Sequence, residues 1–169
     1  MIELDLLETL TKCESVDSLY TSTSKIINQM GYEHFIYGVR VKNASARVNQ
    51  FVLCGYPDEW WERYLTCGYL GIDPLIPHCL KSVTPVIWDD RLFKTQRSTQ
   101  LMNEAREFGL VSGVTLPIRS PGEAALLSLA TSVKPDKAKK DIMATLGDAR
   151  LLTGYLHEAV QRIALKTRI

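Results

Sequence analysis

The sequence lacks the long apolar runs that membrane-spanning helices need. No stretch of about 18 consecutive apolar residues occurs in it. Its first residues, MIELDLLETLTKCE, contain early acidic residues and no basic region followed by an apolar block, so they do not resemble a secretory signal. We therefore expect a cytoplasmic protein that has no membrane partner.

The sequence also has few residues that could hold a metal ion or form a disulfide framework. Its four cysteines are Cys13, Cys54, Cys67 and Cys79, and no two of them form a CxxC pair. Such wide spacing indicates reduced thiols rather than disulfides. The three histidines show no metal-ligand spacing, although His78 directly precedes Cys79. These patterns predict no metal site and no cofactor.

Motifs of catalysis and a strong charge of one sign are missing as well. There is no GxSxG nucleophile elbow and no glycine loop of the phosphate-binding kind, so we expect that the protein is not an enzyme. The formal net charge is only +1 at pH 7, without the basic stripe that is typical of nucleic-acid-binding domains. The chain alone is therefore not expected to bind DNA.

What the sequence does contain is a concentration of aromatic residues in YPDEWWERYLTCGYLGIDP, residues 56–74. Of the three tryptophans, Trp60 and Trp61 lie inside this segment and Trp88 follows it closely. A hydrophobic core scatters its largest side chains, whereas a binding cavity gathers them. With 169 residues, 46% of them hydrophobic, the chain is long enough to build a single domain, 1–169, around such a cavity.

Apolar periodicity predicts the elements along the chain. In order, we expect two helices, two strands, two short helices of which the first is 57–67, a strand TPVIWD, a helix, a hairpin and one long final helix at about 136–166. The short connections make the five strands mainly antiparallel. The predicted fold class is therefore α+β, an α/β/α sandwich in which helices cover both faces of a central five-stranded sheet.

The helix predicted inside the aromatic segment brings polar aromatic groups to one surface. Trp60 and Tyr64 are four residues apart and share a helical face, with Tyr56 entering below them. Trp61 points about 100° away, to another wall or to the surface. Each buried hydroxyl or indole N–H on that face needs an acceptor. Asp73, which precedes a proline, is either such an acceptor or only the N-cap of the next helix.

Several separated motifs carry a family resemblance: GYEHFIYGVRV, YPDEWWERY, YLGIDP, TPVIWDD, NEAREFGLVSGVTLPIR and the LLSL strand. Together they resemble the autoinducer-binding domain of LuxR-type quorum-sensing transcription regulators over nearly the whole chain. Within that family, the sequence is most similar to receptors of long-chain acyl homoserine lactones. The residues that recur in the family are also present: Trp60, Tyr64, Asp73, Pro74, Trp88 and Gly113.

The resemblance implies roles in a buried site for an N-acyl homoserine lactone. Trp60 is implied as the donor to the lactone ring carbonyl, and Asp73 as the acceptor of the amide N–H. Tyr56 is implied as the donor to the acyl carbonyl, assisted by Ser128. The other implied ligand contacts form aromatic walls and a channel for the acyl chain: Tyr64, Trp88, Trp61, Leu75, Ile36, Gly38, Val52, Ile76, Leu110 and Thr115.

The chain departs from the family pattern at two of these positions. Trp61 stands where receptors of long-chain lactones carry an arginine that reaches a 3-oxo group. Leu75 stands where a hydroxyl residue can add a contact to the amide. The resemblance therefore leaves the 3-oxo substitution and the chain length open. Arg40, Gln50 and Met102 are further candidates for the border of the pocket.

The resemblance also implies partners. Family members act as homodimers, so we expect ligand binding to be coupled to folding and to dimerisation through the last helix or the helix at 95–109. No helix-turn-helix pattern follows residue 166, and we expect DNA binding only through a C-terminal domain that this chain lacks. The alternative is a GAF-like or PAS-like sensor of another small molecule, because its layered fold would look similar.

Overall fold

The computed structural model describes residues 2–42 and 48–165. Its centre is a five-stranded sheet in the order β2-β1-β5-β4-β3, in which every neighbouring pair is antiparallel. The predicted fold class is thereby confirmed. The strands are β1 (His34–Lys42), β2 (Val48–Cys54), β3 (Val86–Ile87), β4 (Ser112–Ser120) and β5 (Glu123–Thr131).

Helices cover both faces of this sheet. The described residues form α1 (Leu4–Glu8), α2 (Val16–Gln29), α3 (Asp58–Thr66), α4 (Leu75–Lys81), α5 (Gln96–Glu107), α6 (Pro135–Ala144) and α7 (Leu146–Ile163), with 3-10 turns at Thr9–Lys12 and Tyr69–Gly71. One buried core joins α1, α2, α6 and α7 to the sheet, and a second buried cluster joins α3, α4 and α5. No helix in the described ranges has the length and apolarity to cross a membrane.

The ends of α2 and α5 follow from local chemistry. Ser15 and Ser18 form a capping box at the start of α2, in which each hydroxyl accepts the backbone N–H of the other residue. Thr95 and Ser98 form the same box before α5. Gly31 ends α2 with a φ of 97°, which glycine adopts without a steric penalty. Ser15 therefore caps the start of α2, and Gly31 marks its end.

The prediction of one long final helix is wrong, because the chain bends at Thr145 between α6 and α7. The Thr145 hydroxyl donates to the Ile142 carbonyl at 3.0 Å and lies 2.9 Å from the Tyr32 hydroxyl. A threonine hydroxyl bonded to the preceding turn competes with a continued helix. The hydrogen bond to Tyr32, which is distant along the chain, further stabilises the bend.

Strand β3 is shorter than the predicted TPVIWD segment, since only Val86 and Ile87 pair with β4. Trp88 still donates its backbone N–H to the Gly113 carbonyl at 2.9 Å. The Asp89 carboxylate accepts the backbone N–H two positions further on, which turns the chain away from the sheet. Strand β3 therefore ends at Ile87, and the turn follows directly after the tryptophan.

A buried polar cluster fastens α7 to the sheet. His157 lies 2.6 Å from the Tyr37 hydroxyl through Nδ1 and 2.9 Å from Glu123 Oε1 through Nε2. The Ser120 hydroxyl and the Gln161 amide also donate to Glu123 Oε1. Burial and the nearby Glu123 raise the pKa of Tyr37. In the sequence His157 looks isolated, because its partners are far away along the chain.

Candidate ligand-binding site

A cavity of about 370 Å³ lies between one face of the sheet and helices α3 and α4. Its volume falls in the range of small-molecule sites, about 300–1,000 Å³. Arg40 and Gln50, proposed from the sequence as border residues, line it. The predicted ligand contacts that line the cavity are Ile36, Gly38, Val52, Tyr56, Trp61, Tyr64, Asp73, Leu75, Ile76 and Ser128.

Strand alternation builds the floor of the cavity. Ile36 and Gly38 share a face of β1 because successive side chains of a strand point to opposite sides. Ile36 is paired with Ser128 of β5, and Gly38 is paired with Val52 of β2. A Cβ placed at Gly38 would meet nothing within 4 Å, so the missing side chain leaves space above the sheet. The floor is therefore apolar and open, with one hydroxyl at one end.

Of the two adjacent tryptophans of α3, one lines the cavity and the other packs in the buried cluster. Trp61 lines the cavity and stacks on Tyr64, with ring centroids 5.4 Å apart and an interplanar angle of 18°. Trp60 is 2% exposed and packs against Tyr69 and Phe108. The helical spacing predicts that the two rings point apart, and the structure shows that Trp61 is the one in the lining.

Asp73 presents both carboxylate oxygens at the polar end of the cavity. Oδ2 accepts a hydrogen bond from the Tyr64 hydroxyl at 2.7 Å, and Oδ1 accepts one from the Leu75 backbone N–H at 3.0 Å. Helix α4 begins at Leu75 with Pro74 before it, one position later than predicted, yet Asp73 still supplies the capping bond. Burial raises the pKa of Asp73, and the two hydrogen bonds oppose this rise. Burial and Asp73 together raise the pKa of Tyr64.

A series of hydrogen-bonded hydroxyl groups lies at the same polar end of the cavity. Tyr56 is hydrogen-bonded to Ser128, and burial raises the pKa of its phenol. Ser128 Oγ lies 2.7 Å from Thr115 Oγ1, which accepts the Trp88 indole N–H at 2.9 Å. Tyr56 therefore stays a neutral hydroxyl at physiological pH and can donate a hydrogen bond into the cavity. Thr115 and Trp88 position Ser128 from outside the lining.

Some predicted contacts do not line the cavity in the part of the chain that the structure describes: Trp60, Trp88, Leu110 and Thr115. Trp60 and Leu110 belong to the buried cluster of α3, α4 and α5, as does Met102. Trp88 and Met102 border a separate cleft beside β3. Direct contact of these residues with a ligand stays a prediction.

Sequence reasoning missed the leucines on the open side of the cavity. Leu65, Leu70 and Leu80 line it although they are 50%, 50% and 47% exposed, and the neighbouring Val52 is 41% exposed. Single exposed leucines are common on protein surfaces, so no sequence signal separates them from ordinary surface residues. These four residues form an apolar rim around the cavity mouth.

The cavity offers hydrogen bonds and apolar contact rather than reactive groups. Within 2–42 and 48–165, no three or more His, Cys, Asp or Glu side chains lie together as a metal site would require. Cys79 lines the cavity, but burial raises the pKa of its thiol to about 12, which keeps it from being a thiolate nucleophile. The arrangement fits binding of an organic molecule with one polar end.

The sequence matches the autoinducer binding domain family over residues 15–160. The chain belongs to this family. The matched range contains every residue of the cavity lining, so the family match and the cavity coincide. This membership sets aside the alternative of a GAF-like or PAS-like sensor.

Relatives of this autoinducer-binding domain are transcription regulators. The HTH-type quorum-sensing regulator RhlR of Pseudomonas aeruginosa is 38% identical over 113 residues, which are 66% of this chain and 46% of that protein. Transcriptional activator protein AnoR of Acinetobacter nosocomialis is 28% identical over 160 residues, 94% of this chain and 67% of that protein. The resemblance to LuxR-type quorum-sensing regulators is thereby confirmed, and the chain spans only part of each relative.

Solved structures show the same fold as this autoinducer-binding domain. CepR2 of Burkholderia cenocepacia, an N-acylhomoserine lactone dependent LuxR family factor, has a TM-score of 0.68 at 21% identity, covering 96% of this chain and 92% of that one. SdiA in complex with octanoyl-rac-glycerol has a TM-score of 0.74 at 22% identity, covering 96% and 68%. At such identities, the likeness establishes the fold alone.

Proposed function

We propose that this domain binds an N-acyl homoserine lactone in the cavity. In this proposal it is the ligand-binding part of a cytoplasmic transcription regulator, it is not an enzyme, and it needs no cofactor. The observation that carries the proposal is the polar end of the cavity, where the Asp73 carboxylate and the Tyr56 hydroxyl lie at one end of an apolar channel. Contact with DNA belongs to a further C-terminal domain of the full regulator.

The chemistry of such a ligand matches this cavity. An N-acyl homoserine lactone has one amide N–H, an acyl carbonyl, a ring carbonyl and an apolar chain. Asp73 accepts two hydrogen bonds, and an ionised carboxylate has about four acceptor positions, so it can also accept the amide N–H. Tyr56 donates to the acyl carbonyl in this arrangement, and the chain lies along the apolar floor.

Trp60 supports the ring end of the proposal. Its side chain is 2% exposed and its indole N–H donates to no residue in the described ranges, although the nitrogen itself is not fully buried. An accessible indole N–H can donate to a ligand. In the proposal, the ring carbonyl of the lactone is the acceptor.

The apolar rim supports coupling between binding and folding. Val52, Leu65, Leu70 and Leu80 are each more than 40% exposed in the structure. An acyl chain lying against them would remove apolar surface from water, at about 25 cal/mol per Å². Because only the folded protein forms this rim, the free energy of binding adds to the free energy of unfolding.

Lactones are therefore expected to raise the melting temperature of the protein. At a thousandfold excess over its dissociation constant, a ligand that binds only the native state adds about 4 kcal/mol to the free energy of unfolding. Thermal unfolding with a panel of saturated acyl homoserine lactones measures this effect. The matched control ligand is the ester of the same chain length, which has an oxygen in place of the amide N–H and should shift the melting temperature less.

The variant Trp60→Phe serves as the control on the protein side. It keeps most of the aromatic packing on Tyr69 and Phe108 and removes the N–H, so the lactone-dependent shift should shrink while the melting temperature of the empty protein stays close to the wild-type value. A panel in which no lactone moves the melting temperature of the wild type would contradict the proposed function.

We further propose that the liganded domain is a homodimer. Helices α5 and α7 are the candidate surfaces, and Leu151 of α7 is 53% exposed. An exposed leucine adds apolar area to the core of an interface. Sedimentation of the liganded protein should give about twice the chain mass of 19.1 kDa. A single species with the mass of one chain would contradict this arrangement.

A further inference from the structure

The far end of the cavity carries positive charge. In the sheet register, Arg40 of β1 is paired with Gln50 of β2 on one side and with Ala124 of β5 on the other. Ala124 is paired in turn with Arg119 of β4. Residues paired across neighbouring strands point to the same face. Gln50, Arg40, Ala124 and Arg119 therefore form one row, the arginine row, across the cavity side of the sheet.

The two arginines of this row differ in their hydrogen-bond partners. Arg119 donates to the backbone carbonyls of Cys79 and Leu80, so it ties the end of α4 to the sheet. The side chain of Arg40 lines the cavity and is exposed, and no described residue forms an ion pair or hydrogen bond with it. An exposed guanidinium is hydrated, so anything that covers Arg40 must displace its hydration water.

The distance between the arginine row and the polar end of the cavity follows from the spacing of residues along β5. Ala124 precedes Ser128 by four positions in β5, which corresponds to about 13 Å along a strand. An extended hydrocarbon chain advances about 1.25 Å per carbon, because its bonds are about 1.5 Å long and its angles are near 111°. An acyl chain whose carbonyl carbon is held beside Ser128 therefore reaches the arginine row with about its eleventh carbon.

We propose that the arginine row limits the length of the acyl chain and that Arg40 sets this limit. The proposal rests on the proposed function and narrows the ligand to a lactone whose acyl chain has no more than about ten carbons. Carbons up to the limit are buried against the apolar lining. A longer chain either covers the Arg40 guanidinium, which displaces its water, or leaves its last carbons in solvent, where they add no affinity.

The limit predicts a break in the dependence of affinity on chain length. Each methylene buried in the channel should tighten binding by roughly fourfold. Beyond the arginine row, the gain per methylene should stop or reverse. Isothermal titration of the protein with saturated lactones from four to fourteen carbons measures this dependence directly, and we expect the break in the wild type near ten carbons.

Three variants test whether Arg40 causes this break in the dependence of affinity on chain length. Arg40→Met replaces the cation with a flexible apolar chain, so binding should keep tightening past the break and the fourteen-carbon lactone should bind at least roughly tenfold tighter than to the wild type. Arg40→Lys keeps the cation and should keep the break. Lys42→Met is the matched control, because Lys42 is an exposed cation on the same face of β1 and is not part of the cavity lining.

Two results would overturn the proposed length limit without contradicting the proposed function. One is a wild-type affinity that rises steadily through fourteen carbons, and the other is an unchanged break in Arg40→Met. In both cases lactones still bind, so the proposed function stands. If no lactone of any length binds the wild type, the proposed function fails and the length limit fails with it. Melting temperatures of the empty variants show whether each one is folded.

Discussion

Asp73→Asn is expected to weaken lactone binding by roughly tenfold to a hundredfold, with little change in the stability of the empty protein. Asparagine caps helices as well as aspartate, so its one oxygen can keep the bond from the Leu75 N–H. Its NH₂ group then takes the position of Oδ2, where it faces the Tyr64 hydroxyl and the ligand amide with a donor. The ligand amide thereby loses a charge-assisted bond worth about 1.5–3 kcal/mol.

Lactone titration together with urea unfolding of the empty protein separates the two roles of Asp73. Asp58→Asn is the matched control, because Asp58 is exposed in the first turn of α3 and does not line the cavity. It should bind lactone as the wild type does. Wild-type affinity in Asp73→Asn would mean that the carboxylate only caps α4, and the proposed site would then lack its acceptor.

The parts of the fold that depend on near neighbours were predictable from the sequence. The alternation in HFIYGVRVK indicates β1, and Ser15 and Gly31 mark the ends of α2, because strand period and helix caps are local properties. The bend at Thr145 was not predictable. The apolar spacing continues through it, and its contact with Tyr32 joins residues 113 positions apart.

The sequence indicated the chemistry of the site better than its geometry. Tyr56, Tyr64 and Asp73 of the aromatic segment line the cavity, and their contacts with a ligand stay predictions. A helical wheel gives the angle between Trp60 and Trp61, but it does not give the rotation of α3 against the sheet. Packing against Tyr69 and Phe108, which neither local spacing nor composition reveals, turns Trp60 away from the lining.

The position of the arginine row on the sheet was likewise not predictable from the sequence. Arg40, Ala124 and Arg119 come from three strands, and only the register of those strands makes them neighbours. A shift of one residue in either pairing would send one side chain to the opposite face. The sequence therefore shows two arginines in strands, while their joint position at the end of the cavity follows from the folded sheet.

Gly113→Ala is expected to destabilise the empty protein by about 3 kcal/mol, the upper part of the usual range for overpacking. A Cβ at this position would collide with the backbone carbonyl of Leu129 in the paired strand and would lie 3.0 Å from two ring atoms of Trp88. The carbonyl belongs to the sheet and cannot rotate away. Strands β4 and β5 must therefore separate locally, and a shift of Trp88 would in addition weaken its bond to Thr115.

Gly38→Ala is the matched control, because Gly38 lies in the same sheet and its Cβ would meet nothing within 4 Å. Replacing a strand glycine with alanine in open space should leave stability unchanged or raise it by up to about 1 kcal/mol. Urea unfolding of both empty variants measures the difference. Equal stability of the two would contradict the close packing of Trp88 on Gly113. Lactone titration adds a second contrast, since Gly38→Ala places its methyl group in the cavity and should weaken binding without weakening the fold.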